Sequence, residues 1–400
     1  MYCDSRGVYL PSTHEEDLAN PEGLSDLPSR RVADYSGGYE SRFPHHLIKA
    51  PGGDGHWDLP RHPSPPPRAL YSDYLAAHPH VTGLLAVGPS GVQCEEYRHG
   101  RGPSHRLQSW SMAKSVTSLL LGICLDRGLI RSLDDLASDY CPELLGTLHG
   151  SIKLRHLFNM SSGVAVDHIP ANVQIYTEGF TNADSSVQRV VCGWVDKASD
   201  HSQGQRFNYN ELCPLTIGMV LRAVTKQSLS EFCETALWRP LGAEADATWQ
   251  TDSEGKEFNC IGFGCCLRDW ARLGLLVAHR GRANGRRVVS DAFFDEVFHW
   301  GADEQQAVFL ADSSLREALA AGRREELRAI ESFGVAYKGF FWHCKPDASQ
   351  PRFVGHGGQT VVVDVPSQTV IVQTAVEGFG EDGRQLLSLL SLFEDVASHH

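Results

Sequence analysis

The sequence lacks any long hydrophobic run: nowhere do 18 or more apolar residues follow one another. A helix that crosses a membrane needs about 20 such residues, so the sequence predicts no transmembrane span. The first residues, Met1-Tyr2-Cys3-Asp4-Ser5-Arg6, lead into acidic, proline-containing sequence instead of the short apolar segment of a secretory signal. We therefore expect a cytoplasmic protein.

Positive charge is also scarce. Lysine and arginine number 36 against 49 aspartates and glutamates, the formal net charge is −13, and the basic residues form neither a run nor a stripe. Nucleic acids and anionic membranes attract proteins with concentrated basic patches, so neither is an expected partner.

Motifs for metals and nucleotides are missing as well. The chain has eleven cysteines, an odd number, and neither C-x-x-C nor H-x-x-x-H spacing. We therefore expect free thiols and no metal site. The glycines of Gly262-Phe263-Gly264 are not followed by the G-K-[ST] of a phosphate loop, so no nucleotide and no other cofactor is expected.

What is present is an ordinary globular composition, with 42% hydrophobic and 21% charged residues among 400. Residues 1–68 are rich in proline, glycine and serine, which predicts either an ordered extension that wraps around the body or a partly disordered one, and we favour the first. Strand-like patterns fill the beginning and end of the remaining chain, and helical patterns fill its middle. This order predicts an α/β domain from residues 69–131 and 256–400, with a helical subdomain inserted at residues 132–255.

The most informative stretch is Ser-Trp-Ser-Met-Ala-Lys, residues 109–114, which opens a strongly apolar helix. Ser111 and Lys114 stand three residues apart, so their side chains share one helix face about one turn apart. Burial in this helix is expected to lower the pKa of Lys114, which would leave a lone pair to activate the Ser111 hydroxyl. Backbone N–H groups at the helix N-terminus could stabilise an oxyanion. The stretch predicts an acyl-enzyme on Ser111.

The same spacing recurs at Ser253 and Lys256. There it stands in a polar, glycine-containing turn with no apolar helix behind it. Because a motif acquires meaning only from its structural context, we interpret this second match as coincidence.

Five stretches that occur in order carry a family resemblance. They are Ser111-Met112-Ala113-Lys114, residues 152–163, Phe207-Asn208-Tyr209-Asn210, residues 268–274, and Gly355-His356-Gly357-Gly358-Gln359. Together they resemble the serine β-lactamase-like hydrolases, the branch that holds class C β-lactamases, family VIII carboxylesterases and 6-aminohexanoate-dimer hydrolase. The glycine segment ending in Gln359 and the stretch Phe341-Trp342-His343-Cys344 are similar to the last of these.

The resemblance covers residues 70–400 and implies a β-lactamase/transpeptidase-like α/β fold. In this fold an antiparallel sheet is flanked by helices and a helical subdomain is inserted. A homodimer would follow from the resemblance alone.

The resemblance also implies the roles of individual residues. Ser111 would be the nucleophile, Lys114 its activating base and Tyr209 the proton relay to the leaving group, provided that cations lower the high pKa of Tyr209. The oxyanion hole would combine the Ser111 N–H with an N–H near His356. A different alignment of the glycine segment, residues 355–359, points to Gln359 instead, and we favour His356.

Candidate pocket residues follow from their positions alone: Tyr176, Glu211, Tyr337, Trp342 and Gln359. Two departures from the β-lactamases concern recognition of the substrate. Tyr209-Asn210-Glu211 stands where they carry Tyr-x-Asn, and glycine-rich sequence replaces Lys-Thr-Gly. Both replaced groups help to hold a β-lactam, so we do not expect efficient antibiotic hydrolysis.

Three functions remain open at this point. The first is a hydrolase that cleaves an amide or ester of a small molecule through a Ser111 acyl-enzyme. The second is an acyltransferase, in which an alcohol or amine intercepts the same acyl-enzyme. The third is a catalytically silent binding protein on the same fold, because a fold alone does not determine activity.

Overall fold

The computed structural model of the protein describes residues 45–164, 186–195, 202–301, 336–375 and 382–397, with three two-residue strands nearer the N-terminus. The strands are β1 (Tyr2–Cys3), β2 (Tyr9–Leu10), β3 (Asp34–Tyr35), β4 (His45–Ile48), β5 (Val81–Gly88), β6 (Gly91–Tyr97), β7 (Arg106–Gln108), β8 (Ala247–Gln250), β9 (Phe263–Cys265), β10 (Arg282–Ala283), β11 (Arg286–Arg287), β12 (Ala336–Lys338), β13 (Phe341–His343), β14 (Pro351–Gly355), β15 (Gln359–Asp364) and β16 (Thr369–Ala375).

The α-helices are α1 (Arg68–Ala77), α2 (Ala113–Asp126), α3 (Leu154–Phe158), α4 (Val187–Gly193), α5 (Leu212–Thr225), α6 (Leu229–Cys233), α7 (Arg239–Leu241), α8 (Leu267–Ala278), α9 (Asp291–Val297) and α10 (Asp382–Ala397). A π-helical segment, Glu234–Trp238, links α6 to α7. Short 3-10 turns lie at Gly53–Gly55, Trp110–Met112, Ala137–Asp139, Pro142–Leu144, His149–Ser151 and His356–Gly358.

The larger sheet has seven antiparallel strands in the order β12-β13-β14-β15-β16-β5-β6. Its centre joins distant parts of the chain, because β16 pairs with β5 across almost 300 residues, Val372 opposite Leu85. The strands at the two ends of the body therefore form one continuous sheet.

Alternation along the strands gives this sheet two apolar faces. Val370 and Val372 point into the main core, where α8 packs, and Ile371 between them points into a second core. That second core also contains Leu392 of α10 and Tyr74 of α1. Successive side chains of a strand point to opposite faces, so a run of β-branched residues is what a sheet covered on both sides requires.

The smaller sheet has five strands in the order β3-β7-β9-β8-β4. Strand β7 ends at Gln108, and the next amide, that of Ser109, donates to the Phe263 carbonyl of β9 at 2.8 Å. This bond fixes the point at which the chain enters α2.

Helix α2 is buried from Ala113 to Cys124. Its hydroxyl groups bind neighbouring backbone: Ser115 Oγ donates to the Phe340 carbonyl at 2.8 Å, and Thr117 Oγ1 donates to the Asn259 carbonyl at 2.9 Å. Buried hydroxyls need such partners, and here they hold two separate segments against the helix. The polar residues of this apolar helix therefore position its surroundings.

Helix α8 fastens the N-terminal part of the chain. The fully buried Arg272 guanidinium pairs with Asp269 and Glu244, each at 2.8 Å, and donates to the Trp57 carbonyl at 2.8 Å. Asp269 also accepts the Glu244 amide at 2.9 Å and the Ala245 amide at 3.1 Å. The described part of the N-terminal segment thus lies on the body of the protein.

The expected α/β architecture, an antiparallel sheet flanked by helices, is confirmed. The domain boundaries at residues 68, 131 and 255 stay a prediction, and most of residues 1–44 lie outside the described residues. Within the described helices, none combines the length and hydropathy that crossing a membrane would require.

A substitution at Gly274 tests how closely α8 packs on the seven-stranded sheet. A Cβ at this position would stand 2.6 Å from Val370 Cγ1 and 2.9 Å from Val361 Cγ1. Overpacking costs about 1–3 kcal/mol and exceeds the helix-propensity gain of at most about 1 kcal/mol, so Gly274→Ala should lower the free energy of unfolding.

Urea unfolding measures this effect. Gly193→Ala is the matched control, because nothing lies within 4 Å of a Cβ built there. A Gly274→Ala variant as stable as the control would contradict this packing.

Candidate active site

Ser111 lies in a tight turn immediately before α2. Trp110–Met112 forms this turn, and the Ser109 amide bound to Phe263 anchors its start. Trp110 has a φ of +45°, a left-handed conformation that bulky residues rarely adopt and that is found preferentially at functional turns. Ser111 itself is partly exposed, so its hydroxyl is accessible in front of a buried helix.

The Lys114 ammonium group is the centre of the site. Its Nζ donates to Ser111 Oγ at 2.8 Å and to the Cys260 carbonyl at 3.0 Å, and it stands 2.6 Å from Glu211 Oε2. The lysine side chain is 1% exposed and the glutamate 2%. The predicted pairing of Ser111 with Lys114 is therefore a direct hydrogen bond.

Tyr209 completes the cluster from the segment before α5. The Lys114 Nζ stands 5.0 Å from the centre of the Tyr209 ring. The phenol group also shares hydrogen bonds with Ser111 and Lys114. The structure thus brings together the three residues to which the sequence assigned catalytic roles.

The expected pKa shifts of Lys114 and Tyr209 are wrong for the free protein. Burial lowers the pKa of Lys114, but the Glu211 carboxylate, with Tyr209 and Cys260, outweighs burial and holds that pKa above its ordinary value. Burial raises the pKa of Tyr209, and the nearby Lys114 ammonium does not reverse the change. The resting site therefore contains an ammonium and a neutral phenol.

Glu211 and its neighbour Asn210 turn to different partners. The neighbouring Asn210 turns to the backbone, where Oδ1 accepts the Cys213 amide at 3.0 Å and Nδ2 donates to the Asn208 carbonyl at 2.8 Å. Glu211 turns instead to Lys114 and is buried there. Its carboxylate is the counter-ion of the lysine, and its role in substrate binding stays a prediction.

The glycine segment Gly355-His356-Gly357-Gly358-Gln359 contacts the turn that holds the nucleophile. A Cβ on Gly355, the last residue of β14, would stand 2.1 Å from the Ser109 carbonyl oxygen, so only glycine fits there. The ring of His356 packs edge to face on that of Trp110, with centroids 5.4 Å apart. His356 thus lies beside Trp110, the residue that precedes Ser111. That the backbone N–H groups of Ser111 and His356 form the oxyanion hole stays a prediction.

Gln359 follows the turn His356–Gly358 and is 7% exposed. Its Nε2 donates to the Gly357 carbonyl at 3.0 Å, and its Oε1 accepts the Ala375 amide at 3.3 Å. The amide group therefore holds the glycine turn against β16. The predicted role of Gln359 in substrate binding stays a prediction.

Aromatic rings form a wall on one side of Tyr209. Tyr337 and Trp342 lie 5.7 and 5.6 Å from it, centroid to centroid, and 4.9 Å from each other. Phe207 joins them at 5.1 Å from Tyr337. The predicted pocket residues Tyr337 and Trp342 thus lie next to the catalytic candidates, whereas Tyr176 lies outside the described residues.

Sequence reasoning missed two groups of the site. Phe207 stands in the same motif as Tyr209 and could have been selected as a wall residue from that position. The Cys260 group that binds Lys114 is a backbone carbonyl, which no side-chain pattern reveals.

Metal-ligating side chains are not grouped in the described parts of the chain. Among those residues, no set of three or more histidine, cysteine, aspartate and glutamate side chains could hold a metal ion. The ten cysteines within the described ranges are free thiols.

The sequence is similar to those of known hydrolases. The Beta-lactamase family model matches residues 83–259. The 6-aminohexanoate-dimer hydrolase of Paenarthrobacter ureafaciens is 25% identical over 307 residues, which are 72% of this chain and 71% of that protein.

Solved structures show the same fold. A putative 6-aminohexanoate-dimer hydrolase from Bacillus anthracis has a TM-score of 0.71 at 20% identity, over 89% of this chain and 91% of its own. A D-stereospecific amidohydrolase from Streptomyces has a TM-score of 0.58 at 17% identity, over 81% and 98%. These comparisons confirm that the chain resembles the serine β-lactamase-like hydrolases and has their β-lactamase/transpeptidase-like fold.

Proposed function

We propose that this protein is a serine hydrolase that cleaves an amide or ester of a small molecule through an acyl-enzyme on Ser111. The observation that carries the proposal is the 2.8 Å hydrogen bond between Lys114 Nζ and Ser111 Oγ. The Tyr209 phenol is hydrogen-bonded to the same two side chains. A serine hydroxyl needs such neighbours, because it is a weak nucleophile at its ordinary pKa.

Acylation begins when Ser111 Oγ attacks the substrate carbonyl carbon. As the new C–O bond forms, the Ser111 proton passes to Lys114, which must give up one of its own protons to accept it, and the carbonyl oxygen becomes an oxyanion facing the Ser111 and His356 N–H groups. When the tetrahedral intermediate collapses, the Tyr209 phenol gives its proton to the leaving nitrogen or oxygen. Deacylation repeats these steps in reverse order, with water as the nucleophile.

The surroundings of Ser111 favour a substrate with an apolar part near the scissile bond. The partly exposed ring of Tyr209 offers aromatic surface near Ser111, and the buried rings of Phe207, Tyr337 and Trp342 pack behind it. Two of the similar proteins are named for hydrolysis of the 6-aminohexanoate dimer, which supports a linear amide as one substrate to test. The expected homodimer and cytoplasmic location stay predictions.

Removal of the nucleophile is the first test of this proposal. Ser111→Ala should lower the rate of p-nitrophenyl acetate hydrolysis by about 10³-fold or more, because the acyl-enzyme can no longer form. Ser253→Ala is the matched control: it removes the serine of the other S-x-x-K match, which lies exposed in a turn. Equal activity of Ser111→Ala and wild type would contradict the proposal.

Substitutions at two neighbouring tyrosines, Tyr209 and Tyr337, test the proton relay. Tyr209→Phe keeps the aromatic wall but removes the phenol, and general acid catalysis contributes about 10²–10⁴-fold, so kcat should fall by that amount. The loss should be larger for amides than for p-nitrophenyl esters, whose leaving group needs no proton.

Tyr337→Phe is the control for this substitution. The Tyr337 hydroxyl is buried and has no hydrogen-bond partner among the described residues, so its removal should change kcat by no more than about twofold. A loss in Tyr337→Phe as large as that in Tyr209→Phe would assign the effect to the aromatic wall instead of the relay.

A further inference from the structure

Two opposite charges are buried together at the bottom of the site. Lys114 Nζ and Glu211 Oε2 are 2.6 Å apart, with side-chain exposures of 1% and 2%. Charges buried to this extent are rarely retained unless they are paired. Glu211 stands two residues after Tyr209, so one short segment supplies both the phenol and the carboxylate.

The pair creates a difficulty for the activation of Ser111. An ammonium group has three donors and no lone pair, so Lys114 in its resting state cannot accept a proton. Four oxygens surround its Nζ: Ser111 Oγ, the Cys260 carbonyl, the Tyr209 phenol and Glu211 Oε2. Ser111 is the source of the proton, and a backbone carbonyl and a neutral phenol are not bases. Only the Glu211 carboxylate can take up a proton.

We propose that Glu211 stores, by way of Lys114, the proton that Ser111 loses when it attacks the substrate. This inference rests on the proposed function and adds a residue to it. Glu211 does not touch the reacting atoms and acts only through Lys114, so it is a positioning residue for proton transfer.

The step balances as two coupled transfers. The Ser111 O–H bond breaks and an N–H bond forms on Lys114, while another N–H bond of Lys114 breaks and an O–H bond forms on Glu211. The Ser111 oxygen gains its bond to the acyl carbon, and the π electrons of the carbonyl group move to its oxygen. After Tyr209 has protonated the leaving group, it recovers a proton from Lys114, which recovers one from Glu211.

The neighbouring titratable groups leave this exchange undisturbed. Tyr209, Tyr337, Cys213 and Cys260 face the pair, and burial raises the pKa of each. All four are therefore uncharged at neutral pH. The transfer leaves Lys114 charged and Glu211 neutral, so the pair gains one positive charge, and the oxyanion that forms on the substrate balances that charge.

Glu211→Gln tests the proposal through the pH dependence of kcat/KM. With glutamine, Ser111 can be activated only after Lys114 has lost its own proton. A free lysine titrates about 6 pH units above a free glutamate, and burial without the Glu211 carboxylate reduces this difference. We therefore expect the acid limb of the profile to move to higher pH by about 2 units or more. The loss at pH 7, about 10²-fold or more, should shrink as the pH rises.

Two control variants separate this effect from a structural one. Glu211→Asp keeps the charge and should keep the position of the acid limb. Glu257→Gln makes the same change at another buried carboxylate, which contacts His46, Arg222 and the Ser230 amide, and it should lower stability without moving the limb. An acid limb of Glu211→Gln at the wild-type pH would overturn the proposal.

A second measurement uses only the wild-type protein and does not depend on the folding of any variant. The rate constant kcat/KM for p-nitrophenyl acetate is measured in mixtures of H₂O and D₂O. If two protons move in the transition state of acylation, kcat/KM should follow a curve when plotted against the deuterium fraction. A straight line would overturn the coupled transfer. Suppose that Ser111→Ala abolishes acylation, but the acid limb of Glu211→Gln does not move and the D₂O dependence of the wild type is straight. The hydrolase proposal then stands and only this inference fails.

Discussion

The burial of the Lys114 ammonium group is the constraint on which the rest of the site depends. The effective penalty for removing such an ion from water is several kcal/mol, so the fold must surround it with oxygen atoms. The oxygens come from three segments far apart in the chain: the turn at Ser111, the Tyr209-to-Glu211 segment and the Cys260 carbonyl. The helix that carries the lysine therefore determines where these segments meet.

The same arrangement separates the accessible and the buried parts of the chemistry. Ser111 is partly exposed beside an aromatic wall, whereas Lys114 and Glu211 lie behind it, out of contact with water. A substrate can thus reach the nucleophile without reaching the charges that exchange its proton. The glycine turn that begins at Gly355 closes the site from the opposite part of the sequence, because its backbone packs directly on Ser109.

Features that depend on neighbouring residues could be predicted from the sequence, and features that depend on distant contacts could not. The contact of Ser111 with Lys114 follows from helical spacing, and the sheet follows from alternating β-branched residues. The directions of the pKa shifts were wrong because the raised pKa of Lys114 depends on Glu211, 97 positions away in the sequence. Similarly, the amide of Gln359 is bound by Ala375, a residue on another strand.

The central claim, that Ser111 carries the acyl group, is tested most directly by locating that group. The protein is mixed with p-nitrophenyl acetate, quenched in acid within the first turnovers, digested and sequenced by tandem mass spectrometry. The account predicts one acetyl group on Ser111 and none on Ser253. Turnover with the acetyl group on another residue, or with no covalent adduct at any quench time, would contradict it.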